Sequence, residues 1–87
     1  MPFTFKIEKP KVESKRVFMK LEEMIERENG SISGDHETGT IISSDGVEGS
    51  YVVGEEFIEI TIYKKPCYYA EFAVEKYIRD VFREAST

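Results

Sequence analysis

All six glycines of this 87-residue chain fall between residues 30 and 54, and that single stretch separates two segments with helical periodicity. The chain is therefore partitioned before any other property is considered. A turn-rich, strand-forming centre is flanked by two long amphipathic runs, and a further short strand stands before the first of them. In the centre, segments rich in Ile, Val, Ser and Thr alternate with glycine, which is the pattern of successive hairpins. Strands are expected at about 31–34, 39–44, 47–53 and 56–63. Ser44-Asp45-Gly46-Val47 is the strongest turn signal, because Asp-Gly supplies two positive-φ positions for a two-residue connection. The last strand is the clearest: Ile58, Ile60 and Ile62 share one face, and Phe57, Glu59, Thr61 and Tyr63 the other. Gly49 lies within a strand and indicates a bulge or the close passage of a helix.

Phe3, Phe5 and Ile7 alternate with Thr4, Lys6 and Glu8, which makes residues 3–8 a half-buried strand. Pro10 suits a helix start. From Val12 the period becomes helical through Val17, Phe18, Leu21, Met24 and Ile25, with Gly30 expected as the C-terminal cap. From Tyr68 to Ala85 a second stripe follows, formed by Ala70, Ala73, Val74, Tyr77, Ile78, Val81, Phe82 and Ala85. The order is β-α-β-β-β-β-α, an α+β class. Two helices with one apolar stripe each are best buried side by side on one face of an antiparallel sheet. The other sheet face, with Thr4, Lys6 and Glu8, should be polar. The connections are short, so residues 1–87 form one domain.

Twelve basic and seventeen acidic side chains leave a net charge of −5, which argues against a dedicated nucleic-acid binder. The distribution is sharper than the total. Residues 1–20 carry six basic and two acidic side chains, whereas residues 21–59 carry one basic and eleven acidic. Glu22, Glu26, Asp35, Glu37, Glu55 and Glu56 make up a candidate acidic surface able to steer a partner or a second copy of the chain. No apolar run reaches the length of a membrane span, and the N-terminus is too charged for a signal peptide, so a cytoplasmic location is expected. The absence of Gln, the single Asn and the excess of Glu over Asp follow the compositional trend of hyperthermophile proteins.

Few residue groups suggest chemistry. His36 stands in Gly34-Asp35-His36-Glu37-Thr38-Gly39, but three consecutive polar residues do not easily converge on a metal, and no second His or Cys completes a zinc set. Cys67, the single cysteine, follows Lys64-Lys65-Pro66 near a helix start, where a thiol can be activated, yet no orienting His lies nearby in sequence. No metal, cofactor or catalytic residue is expected, and the chain is expected not to be an enzyme. Lys64, Lys65, Tyr68 and Tyr69 form the one basic and aromatic cluster, a candidate contact for an anion or a partner.

The helix, strands, helix order with a His-bearing first hairpin and a Lys pair before the last helix looks like a double-stranded RNA-binding domain. Here, however, Pro66-Cys67-Tyr68-Tyr69-Ala70-Glu71 follows the lysines where that family has a further basic run. Gly46-Val47-Glu48-Gly49-Ser50-Tyr51, then Val53, then Phe57-Ile58-Glu59-Ile60 resembles small prokaryotic α+β proteins without an assigned activity, among them the polyhydroxyalkanoic acid system proteins. The resemblance implies the same fold class and carries no functional residue. The expected function is a small non-enzymatic protein interaction module or adaptor, bound to another protein or to itself. RNA binding and small-ligand binding are the alternatives. Large Phe, Ile and Tyr side chains in so short a chain point to a filled core without a ligand cavity.

Overall fold

The computed structural model describes residues 2–87. Strand β1 spans Phe3–Glu8, helix α1 Ser14–Arg27, strands β2 Ser31–Gly34, β3 Thr38–Ile42, β4 Glu48–Val53 and β5 Phe57–Lys64, and helix α2 Glu71–Ala85. The five strands form one antiparallel sheet in the order β1-β5-β4-β3-β2. Because β1 and β2 are the two opposite edges, α1 must carry the chain across the whole sheet. The meander then works back to β1, and α2 returns over the same face. The two helices touch each other, with α1 contacting β2 and α2 contacting β1.

Alternation decides what each strand buries. Phe5 and Ile7 of β1, Tyr51 of β4 and Ile58, Ile60 and Ile62 of β5 point to the helices. They meet Val17, Leu21 and Ile25 of α1 and Val74, Ile78, Val81, Phe82 and Ala85 of α2. The Tyr51 and Phe82 rings meet edge to face at 6.4 Å, the arrangement their quadrupoles favour. On the opposite face Thr4, Lys6 and Glu8 are exposed. The register places Thr4, Thr61, Ser50, Thr40 and Ser33 in one row of hydroxyls across all five strands. Val52, Phe57 and Tyr63 are exposed on that face as well.

Several local expectations need correction. Helix α1 starts at Ser14 and not near Pro10, and α2 starts at Glu71 and not at Tyr68. At the end of α1 it is Asn29, with φ 66°, that takes the left-handed position. The Gly30 N–H donates to the Ile25 carbonyl at 2.9 Å and the Asn29 N–H to the Glu26 carbonyl at 3.1 Å, which closes a Schellman motif. Gly30 serves close approach, since a Cβ there would lie 2.7 Å from the Ile42 carbonyl oxygen. The Asp45-Gly46 connection is also longer than two residues. Only Gly46 has positive φ, 99°, and its N–H donates back to the Ser43 carbonyl at 3.2 Å while the Ser43 N–H donates to Val47 at 2.8 Å. This is a turn followed by a left-handed glycine, the usual longer hairpin connection. The register of β4 shifts between Glu48 and Gly49, where a bulge or close packing was anticipated.

Candidate functional site: a cavity between helices and sheet

The core is not filled. A cavity of about 310 Å³ lies between the helices and the sheet, and the expectation of a solid interior is overturned. Small residues are among those that line it. Gly49 of β4 faces the helices without a side chain, and a Cβ there would stand 2.8 Å from the Thr61 carbonyl oxygen and 2.9 Å from Ile62 Cδ1. The tight bulge thus requires glycine, because the Thr61 carbonyl and the Ile62 side chain already occupy the space that a Cβ would take. Above it α2 offers Ala73 and Val74, and the end of α1 offers Gly30. The walls come from Ile25, Ile41, Val47, Ile60, Ile62, Ile78, Val81 and Phe82. Along the second helical stripe Val74, Ile78, Val81, Phe82 and Ala85 are buried, whereas Ala70, Ala73 and Tyr77 are exposed. The cavity opens on this side, beside Ala73 and Tyr77.

The opening is polar. Asp45 stands on the β3–β4 turn, Tyr69 in the segment leading into α2, Tyr77 on α2 and Glu28 at the end of α1. The Tyr69 hydroxyl donates to Asp45 Oδ2 at 2.6 Å, and the Ser43 hydroxyl donates to Asp45 Oδ1. These two bonds, Ser43 first, hold the Asp45 carboxyl below its ordinary range. The same bond to Asp45 pushes the Tyr69 hydroxyl up. Tyr77 is pushed up by burial and then by the negative charges of Glu28 and Asp45; its hydroxyl lies 3.5 Å from Glu28 Oε2. Lys65 Nζ donates to the Tyr69 carbonyl at 2.6 Å and so secures the loop that carries Tyr69.

The residues singled out by sequence are dispersed. Lys64 reaches Glu48 across the strand at 3.8 Å, Lys65 is engaged with Tyr69, and Tyr68 is exposed and meets Tyr69 edge on at 4.9 Å. Of that cluster only Tyr69 lines the cavity. The acidic candidates Glu22 and Glu26 sit on α1, Asp35 and Glu37 on the β2–β3 loop, and Glu55 and Glu56 on the β4–β5 loop. Glu37 and Glu55 meet in a shallow surface groove that also holds Lys9, Lys15 and His36. The backbone N–H groups of Thr38 and Glu37 donate to the Asp35 carboxylate at 3.0 and 2.8 Å and lower its pKa. His36 Nε2 lies 3.7 Å from Glu37. Among the described residues no three His, Cys, Asp or Glu side chains converge as metal ligands, and no helix is long and apolar enough to cross a membrane. Cys67 is exposed.

Glu28, Asp45 and Tyr77 are the site residues that the sequence did not single out. They read there as the end of a helical run, a turn former and part of a core stripe. No protein-family model, no curated protein and no solved structure matches this chain.

Proposed function

We propose that the chain is a small non-enzymatic binding protein that takes the apolar body of a small molecule between its two helices and its sheet. The observation that carries this reading is the cavity of about 310 Å³, within the roughly 300–1,000 Å³ typical of ligand sites. An apolar void of roughly 150 Å³ already stays dry and accepts benzene. At the ~30 Å³ that a water-sized group occupies, the cavity has room for about ten non-hydrogen atoms. Alkyl and aryl groups suit the Ile and Val walls, and the Asp45, Tyr69 and Tyr77 opening keeps a polar end in water.

The test is thermal melting of the protein in a series of straight-chain alcohols from butanol to dodecanol. Binding raises the melting temperature with ligand concentration, by about 2.7 kcal/mol of added stability at a hundredfold excess over Kd. The effect should peak near octanol, whose size matches the space. An effect that is absent throughout the series, or that rises without an optimum, contradicts the reading.

A protein interaction module is the second reading. It is supported by the two open sheet edges at β1 and β2, able to take an added strand. Tyr68 and Phe72, 75% and 78% exposed at the start of α2, also favour it. Sedimentation of the protein alone and with captured partners tests this reading, and amide shifts confined to the helices and loops on partner binding would count against strand addition.

A further inference from the structure

We propose that the ligand is an amphipathic cation, an alkyl or aryl ammonium whose head is held at the cavity mouth by Glu28, Asp45, Tyr69 and Tyr77. This rests on the reading of the cavity as a binding site. Among the described residues the charged side chains that line the cavity are Glu28 and Asp45, both acidic, with no Lys, Arg or His. The C-terminal end of α1 lies at the same opening through Ile25, Glu28 and Gly30, and it adds the negative pole of the helix. Glu28 Oε2 lies 3.5 Å from the Tyr77 hydroxyl and Asp45 accepts the Tyr69 hydroxyl at 2.6 Å, so each carboxylate stands beside a tyrosine that lines the cavity.

Asp45 is prepared as an acceptor. Its two oxygens already receive Ser43 and Tyr69 hydroxyls, which fix its orientation, and a third donor can still approach, because an ionised carboxylate offers about four acceptor positions. Tyr69 and Tyr77 add ring faces, to which an ammonium group is attracted. Two positive features stand close by and are already answered: the Lys65 ammonium is on the Tyr69 carbonyl, and the first turn of α2 carries Glu71. A carboxylate head would meet two like charges at this mouth. A neutral head would gain neither the charge-assisted bonds nor the ring contacts.

The test is isothermal titration of the full chain with octylamine, octanol and octanoate, three molecules with one apolar body and different heads, each below its aggregation limit. Octylammonium is expected to bind about tenfold more tightly than octanol, a factor equal to about 1.4 kcal/mol, with octanoate weakest. E28Q, which removes an exposed charge without altering the fold, and D45N should each lower the amine-to-alcohol ratio severalfold. E84Q, remote at the end of α2, should leave it unchanged. Equal affinities, or a preference for octanoate, overturn the cationic head while the cavity reading stands. Failure of all three to bind overturns the cavity reading and the proposal with it.

Discussion

Enlarging an interior side chain should stabilise this protein at α2 positions above the cavity and destabilise it elsewhere. Val74 and Val81 are 3% and 9% exposed and both line the cavity. Val→Ile keeps the β-branch and the helix preference, so the change is confined to one additional group directed at the empty space. Each buried methylene contributes about 0.8 kcal/mol. The two sites lie two turns apart on α2, so V74I and V81I together should add about 1.6 kcal/mol. With about 2.1 cal/mol/K of unfolding entropy per residue over 87 residues, 1 kcal/mol corresponds to about 5 °C, and the pair to about 9 °C. Ala85 is the contrasting position. It is 2% exposed and lies outside the cavity lining, so A85V should cost the roughly 1–3 kcal/mol of an overpacked core. Thermal and urea unfolding followed by circular dichroism measure all three variants. If V74I/V81I loses 1 kcal/mol or more, the space does not exist and the reasoning fails; if A85V is as stabilising as the others, the location of the space is wrong.

Three further outcomes follow from local geometry. Asn29 holds the left-handed position at the end of α1, so N29G should be close to neutral and N29A should cost about 1–2 kcal/mol in urea unfolding; equal losses would contradict the motif. Tyr51 is buried with its hydroxyl donated to the Asp35 carbonyl at 2.6 Å, and burial pushes its pKa up to about 12. Because the folded pKa is raised above the ordinary 10.0, its contribution is complete below that value and is lost as the pH rises through about 12; ultraviolet titration should show Tyr51 ionising last, and a Y51F variant should lose that final step. Asp45 has a lowered pKa, so its contribution is present above the ordinary carboxyl value and lost as the pH falls through the folded value. D45N should therefore flatten the acid limb of the stability profile, and an unchanged limb would show that the Ser43 and Tyr69 bonds do not hold in solution.

The order of elements was legible because two periodicities carry it. Phe3, Phe5 and Ile7, and later Ile58, Ile60 and Ile62, repeat at two residues, and only an alternating strand buries them together. Val17, Leu21 and Ile25 repeat at helical spacing, and the topology follows once both apolar stripes must be covered. Positions governed by local hydrogen bonds were less legible. Asn29 rather than Gly30 closes α1, because an Asn side chain tolerates the left-handed region almost as glycine does. Gly30 was needed for a different reason, the nearby Ile42 carbonyl.

The cavity was hidden from a residue-by-residue reading. Apolar patterning reports which side chains turn inward, and it is silent on whether the inward side chains fill the volume between them. A signal did exist in the small buried residues Val47, Gly49 and Val74, which come from the β3–β4 connection, β4 and α2 and meet only in the fold. The candidate cluster at Lys64, Lys65, Tyr68 and Tyr69 was broken up because β5 ends at Lys64 and the rest lies on the loop before α2. Lys64 ends β5 beside Glu48, and the loop turns Tyr69 toward Asp45 while Tyr68 stays outside.

Methyl-resolved NMR during titration with octylamine locates the bound ligand, because the interior contains methyl groups both at the cavity and away from it. Ile25, Ile60, Ile62, Val74, Ile78 and Val81 line the cavity, whereas Ile7, Val17, Leu21 and Ile58 are buried elsewhere. Saturable shifts and direct ligand contacts are expected at the first group, with the second group nearly still. Shifts spread evenly over both groups, or confined to exposed Met19 and Val52, would contradict a ligand in the cavity.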